Sequence, residues 1–211
     1  MNKKMRVDFR LYLITDRRLF ADIASLLRAI EEALKGGVKA VQLREKDLGT
    51  RQLLQLAYET RGLTSKYGAK LFINDRVDIA LAVDADGVHL GGDSMPAFAA
   101  RKAAGEAMLI GVSAHSIEEA RKAEEEGADF ITLGPIFETP SKIKFGHPLG
   151  PGLLREVREK ISIPVFAIGG INKERAGSVL ESGTTGIALI SAILGSEDIR
   201  SNTEEFMRLL K

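Results

Sequence analysis

The sequence predicts a (β/α)8 barrel, the TIM-barrel architecture, in which parallel strands alternate with helices and the strand ends form the active site. Three observations carry this expectation. Eight short apolar runs recur along the 211 residues. Each is closed by a polar or glycine-rich end, and between most of them lies room for a helix.

The runs and their connections follow in chain order. LYLITD from Leu11 is the first strand. The stretch from Asp22 to Lys35 carries Ile23, Leu26, Leu27, Ile30, Ala33 and Leu34 at helical spacing and stops at Gly36-Gly37, a C-cap signal. AVQLREK from Ala40 is the second strand, and from Thr50 the residues Leu53, Leu54, Ala57, Tyr58 and Leu63 repeat the helical theme. KLFIND from Lys70, GVHLGG from Gly87 and LIGVSAH from Leu109 supply strands three to five. Ser116 and Glu119 then have the spacing of a capping box at the start of a helix. FITLGP from Phe130, PVFAIGG from Pro164 and GIALISAI from Gly186 complete the barrel, and a last helix is expected from about Glu197 to Leu210. Beyond this rhythm, GGVKAVQL, VDADGVHL, EEGADFITL and ESGTTGIALI each show a helix end, a glycine and a new strand. The long polar connection from Glu138 to Pro151 has the length of a functional or mobile barrel loop.

Composition narrows the function. The length suits one domain, 1–211, slightly short for such a barrel, and 45% hydrophobic residues suffice for its core. Thirty basic and 29 acidic residues give a net charge of +1, which offers no general reason to expect nucleic acid or an anionic membrane as partner. Any anion binding must therefore be local. The chain has no cysteine, hence no disulfide or thiolate metal site, and MNKKMRVDFR lacks the apolar core of a signal peptide. No run approaches the roughly 20 apolar residues of a membrane span. The expectation is a soluble cytoplasmic protein, for which homo-oligomerisation stays open.

The polar strand ends are read together as one rim. In AVQLREK, alternation sends Val41, Leu43 and Glu45 toward the helices and leaves Gln42, Arg44 and Lys46 aimed inward. A guanidinium and an ammonium so placed suit a phosphate or diphosphate, whereas an edge strand with a solvated face is the bland alternative. Asn74-Asp75 ends strand three, where Asp75 is either a counter-ion of those cations or a ligand of Mg2+, which takes one or two carboxylates and shares phosphate oxygens with a substrate. Strand five ends Ser113-Ala114-His115, which puts a hydroxyl and an imidazole on one face. A lone His115 is more often structural than catalytic; His89 reads as structural, and His147 carries no signal by itself. Gly169-Gly170 after strand seven and Ser191 at the end of strand eight mark a second anion site, because barrels frequently hold phosphate there with backbone N–H groups.

These residues resemble the thiamine phosphate synthase family and its relative, the thiazole tautomerase. The likeness runs nearly end to end: YLITD at Tyr12, QLREK at Gln42, FINDRVDIA at Phe72, DGVHLG at Asp86, GVSAHSIEEA at Gly111, GADFITLGPIFETPSK at Gly127, IPVFAIGGI at Ile163 and GIALISAI at Gly186. The resemblance implies that Gln42, Arg44, Lys46, Asn74, Ser113 and Lys142 bind 4-amino-2-methyl-5-hydroxymethylpyrimidine diphosphate. Among these, Arg44, Lys46, Lys142 and Ser113 would carry catalysis. It further implies that Asp75 ligates Mg2+, and that Thr139, Ser141, Gly170, Ile190 and Ser191 bind the thiazole phosphate. The implied reaction joins the two phosphorylated substrates to thiamine phosphate and releases pyrophosphate, through a pyrimidine-methyl cation that a closed barrel mouth would shield from water. There is one departure: where the family reads G-Q-E-D or G-Q-D-D after strand four, this chain reads Gly91-Gly92-Asp93-Ser94, so the second metal position falls on Ser94. Two alternatives stand beside the synthase: a tautomerase that moves a proton with His115, and a non-catalytic phosphate-binding or regulatory barrel.

Overall fold

A computed structural model describes residues 7–139 and 148–210. Among them, eight parallel strands close in sequence order into a barrel: β1 (Leu11–Ile14), β2 (Ala40–Leu43), β3 (Lys70–Asn74), β4 (Gly87–Leu90), β5 (Leu109–Ala114), β6 (Phe130–Leu133), β7 (Val165–Ile168) and β8 (Gly186–Leu189), with β8 pairing back onto β1. The helices that follow them are α1 (Ile23–Lys35), α2 (Thr50–Lys66), α3 (Val77–Ala82), α4 (Ala97–Ala104), α5 (Ile117–Glu125), α6 (Gly150–Lys160), α7 (Lys173–Glu181), the short α8 (Ser191–Leu194) and α9 (Ile199–Leu209). Helix α1 starts where Asp22 caps the N–H of Ser25 and ends at Gly36, as its spacing predicts.

Alternation along each strand divides the core in two. Leu11, Leu13, Val41, Leu43, Leu71, Ile73, Val88 and Ile110 face the helices, while Tyr12, Ile14, Ala40, Phe72, Leu109, Phe130, Phe166 and Ala188 fill the barrel. Phe9 closes the interior from below, stacking on Phe166 at 5.0 Å between ring centroids. Tyr12, Phe72 and Phe130 meet edge to face at 5.2 to 5.5 Å. Such rings fit because their neighbours are small: a Cβ on Gly111 would lie 2.4 Å from the Phe130 ring and 2.6 Å from His89.

The bottom of the barrel is held by one device used twice and by a simpler, uncharged version of it once. Asp86, just before β4, accepts the N–H of Leu71 in β3 at 2.8 Å and is paired with Arg61 of α2. Asp129, just before β6, accepts the N–H of Ile110 in β5 at 2.8 Å and is paired with Arg101 of α4. Thr185, before β8, accepts the N–H of Val165 in β7. The recurring helix end, glycine and strand in the sequence are the outward sign of this stapling. It secures the face opposite the expected active site.

Two strand ends differ from expectation. GIALISAI is not one long strand: β8 stops at Leu189, and Ser191–Leu194 is helical. Ile190, Ile193 and Leu194 have helical spacing, and Ile193 and Leu194 are buried by it. β2 likewise ends at Leu43, so Arg44, Glu45 and Lys46 belong to the turn above it. Glu45 is only 5% exposed; its carboxylate accepts the Thr15 hydroxyl and the Arg17 N–H, tying the tops of β1 and β2 together. Burial raises its pKa, opposed by those two donors and reinforced by the nearby Asp16 and Asp47 carboxylates.

Candidate active site

The strand tops bring the rim residues together from β2, β3, β4 and β5. The Arg44 backbone N–H donates to Thr15, and among the described residues its guanidinium has no hydrogen bond or ion pair. Lys46 Nζ stands 3.5 Å from Asp75, on side chains that are 55% and 31% exposed. Both readings of Asp75 thus have a physical basis: it is a counter-ion now, and it remains accessible to a metal.

Asp75 takes a left-handed backbone, φ 63°, an uncommon conformation that Asp tolerates better than most residues. Its Oδ2 accepts the Asn74 amide at 2.6 Å. Its Oδ1 accepts the Ser94 hydroxyl and the Gly91 N–H. Burial pushes the Asp75 carboxyl up, but the Ser94 hydroxyl, the Lys46 ammonium, the Gly91 N–H and the Asn74 amide outweigh it and hold the pKa below the ordinary value. Ser94 thus lies against Asp75, while neighbouring Asp93 is exposed. Among the described residues, no three His, Asp or Glu side chains gather as a metal cluster. One carboxylate and one hydroxyl are hard oxygen donors, a set that fits Mg2+ when substrate oxygens complete its shell.

Below the rim lies a buried polar layer. Gln42, 1% exposed, donates its amide to Tyr12 Oη at 3.2 Å. Tyr12 Oη lies 3.4 Å from His89 Nδ1, and His89 Nε2 lies 3.0 Å from Ser113 Oγ and 3.3 Å from Thr132 Oγ1. Burial drives the His89 pKa down to about 3, the attraction of Asp75 opposing and the repulsion of Arg44 assisting, so the ring is neutral. Burial also raises the Tyr12 pKa well above its ordinary value, with the Gln42 hydrogen bond opposing. Neither Tyr12 nor Thr132 is a site residue on the sequence alone, and His89 reads there as structural; the structure places all three in this buried layer. The available signal is that His89, Ser113 and Thr132 stand at inward positions of consecutive strands; the register sets Ser113 opposite Thr132 and His89 opposite Gly111, and the side chains meet across that stagger.

Ser113 and His115 do not act as a pair. The Ser113 hydroxyl joins His89, whereas the half-exposed His115 ring sits 3.1 Å from Glu119. Glu119 also takes the His115 N–H rather than that of Ser116, so the expected capping box is only half formed: Ser116 caps Glu119 without the reciprocal bond.

On the other side of the mouth, the β6 and β7 loops are zipped by Ile136 N–H to Ile168 O at 2.9 Å and Phe137 N–H to Gly169 O at 3.1 Å. Gly170, φ +64°, packs against that loop: a Cβ there would meet Phe137 Cβ at 2.7 Å and Glu138 O at 2.8 Å. Its smallness thus serves the contact between loops as well as any phosphate. Ile190 is half-buried and Ser191 exposed at the start of α8. Thr139 Oγ1 is buried with no hydrogen-bond partner among the described residues. Ser141, Lys142 and His147 lie outside the described residues.

A (β/α)8 barrel with a guanidinium, a carboxylate–hydroxyl pair and glycine-rich loops at its strand tops belongs to the class of enzymes that handle small phosphorylated molecules. Within that class, the chain belongs to the thiamine monophosphate synthase family, whose model matches residues 11–193. It is 50% identical to the thiamine-phosphate synthase of Clostridium novyi, over 93% of this chain and 96% of that protein. It is 47% identical to the thiamine-phosphate synthase of Halalkalibacterium halodurans, over 97% of this chain and 96% of the relative. Among solved structures, the thiamine phosphate pyrophosphorylase of Pyrococcus furiosus superposes with a TM-score of 0.86 at 45% identity, covering 96% of this chain and 95% of that one. A 3-hexulose-6-phosphate synthase, TM-score 0.70 at 19% identity, shares the fold.

Proposed function

We infer that this chain joins 4-amino-2-methyl-5-hydroxymethylpyrimidine diphosphate to the thiazole phosphate, forming thiamine phosphate and pyrophosphate. Membership of the family carries the reaction. The observation that carries the site is the rim itself, where the Arg44 guanidinium, attracted by Asp16 but in no hydrogen bond or ion pair among the described residues, shares the strand tops with the Asp75–Ser94 pair. The thiazole nitrogen is the nucleophile, the C–O bond to the diphosphate breaks, and pyrophosphate leaves with the bonding electrons, so no Ser-His-Asp apparatus is required.

Catalysis is then positioning plus stabilisation of departing charge. Arg44, Lys46 and Lys142 would hold the diphosphate, with Gln42, Asn74 and Ser113 orienting the pyrimidine. Thr139, Ser141, Gly170, Ile190 and Ser191 would receive the thiazole phosphate. Asp75 and Ser94 would hold Mg2+, which when bound neutralises diphosphate charge. The proposed setting is the cytoplasm, in keeping with a chain free of cysteine and with no helix among the described residues long and apolar enough to cross a membrane.

No observation favours the tautomerase: His115 is engaged with Glu119, and the Ser113 hydroxyl turns to His89 instead. The test is incubation with both substrates and Mg2+, with thiamine phosphate and pyrophosphate measured together. Equal amounts of both products support the reading; isomerised thiazole without coupling would overturn it.

A further inference from the structure

We propose that Tyr12 and His89 are positioning residues that fix the polarity of the Ser113 hydroxyl, so that Ser113 presents a proton, not a lone pair, to the substrate. Ser113 faces the pyrimidine substrate in the reading inferred above, and the buried donors below it decide which way its hydroxyl points. The Tyr12 oxygen already accepts the Gln42 amide N–H. Its own proton has one acceptor among the described residues, His89 Nδ1 at 3.4 Å. If Nδ1 accepts, the neutral ring must carry its proton on Nε2. Nε2–H then donates to Ser113 Oγ at 3.0 Å, and Thr132 Oγ1 donates to the same oxygen at 3.4 Å. With its oxygen accepting twice from within the barrel, the Ser113 hydroxyl has its proton left for the mouth.

The opposite tautomer strands a donor. With the proton on Nδ1, Tyr12 Oη would face two N–H groups, and its own O–H, on a residue 0% exposed, would have no acceptor among the described residues. A buried donor left unpaired disfavours that arrangement by roughly tenfold or more in population. In that arrangement Nε2 would accept a proton from Ser113 or Thr132, and a Ser113 hydroxyl turned to it would offer the substrate only lone pairs. The relay Gln42, Tyr12, His89, Ser113 therefore makes the site selective for an acceptor atom, such as a pyrimidine ring nitrogen or a diphosphate oxygen.

The tautomer can be read directly by nitrogen NMR of the full chain labelled at histidine. The sequence has three histidines, so His115→Asn and His147→Asn assign the remaining signal to His89. The expected result is a proton on Nε2 and a bare Nδ1; a proton on Nδ1 overturns the proposal without touching the reaction. Tyr12→Phe removes the bias and should bring up the Nδ1–H form to a comparable population, with kcat/KM for the pyrimidine diphosphate falling about twofold and KM for the thiazole phosphate unchanged. His89→Gln, whose amide N–H can still donate to Ser113, should retain several-fold more kcat/KM than His89→Leu; equal activity of the two refutes the relay even if Tyr12→Phe fails to fold. Ser113→Ala separates the two inferences: normal turnover with the expected tautomer refutes the placement of Ser113 at the substrate, and with it the relay's role in recognition.

Discussion

Ser94→Asp is the substitution with the most to say about this site. The Ser94 hydroxyl donates to Asp75 Oδ1, and the Gly91 N–H is shared between the two side chains. A carboxylate in place of the hydroxyl loses that donor, worth about 1 kcal/mol, and sets two negative charges about 4 Å apart, a repulsion of at most about 4 kcal/mol at an effective dielectric constant near 20. The repulsion is reduced because the Asp75 side chain is 31% exposed and Lys46 lies 3.5 Å from its other oxygen. A net destabilisation of about 2 kcal/mol follows for the metal-free variant, which for a chain of this length lowers the melting temperature by roughly 4–8 °C. Mg2+ bound by the folded state alone returns about 2.7 kcal/mol at a hundredfold excess over its Kd, so saturating metal should restore the melting temperature. Thermal melts in chelator and in rising Mg2+, alongside steady-state coupling assays, read both effects. The wild type should need high Mg2+ for half-maximal activity and Ser94→Asp much less. A variant that melts like the wild type in chelator and keeps its Mg2+ requirement would refute the placement of the metal between these side chains; if Asp93→Ala then abolished the metal response, the ligand is the neighbouring carboxylate.

Arg44→Ala should lower turnover of the pyrimidine diphosphate by about two orders of magnitude, roughly 2.7 kcal/mol of transition-state stabilisation, with an unchanged melting temperature; near-normal turnover would sink the diphosphate assignment. Gly170→Val should lower the melting temperature by several degrees as well as raise KM for the thiazole phosphate, because its side chain meets Phe137 and Glu138 at a left-handed backbone; an unaltered melt would contradict the loop contact. His115→Asn should keep coupling activity within about fivefold, since the exposed pair it breaks with Glu119 contributes little; a hundredfold loss revives the tautomerase. Asp129→Ala should cost about 3 kcal/mol in denaturant unfolding by removing the carboxylate of Arg101, which keeps its carbonyl partners, and the acceptor of the Ile110 N–H, yet leave KM values alone; altered KM values would mean that the two faces of the barrel are not independent.

The eight-strand order and the alternation of faces were legible in the chain, because a barrel strand buried on both sides must be a short apolar run and its period of two is a property of the backbone. The polar and glycine ends at Arg44 and Lys46, Asn74-Asp75 and Gly169-Gly170 were legible as breaks in apolar runs, but that Arg44 and Lys46 stand in a turn above β2 was not. The length of β8 was not, since Ile190, Ile193 and Leu194 satisfy a strand's composition and a helix's spacing equally, and the surrounding packing chose the helix. Neither was the polar layer of Gln42, Tyr12, His89, Ser113 and Thr132, whose members come from β2, β1, β4, β5 and β6. A linear sequence can say that each of these side chains points inward. Only closure of the barrel, with its staggered register between strands, brings these side chains from five strands within hydrogen-bonding distance of one another.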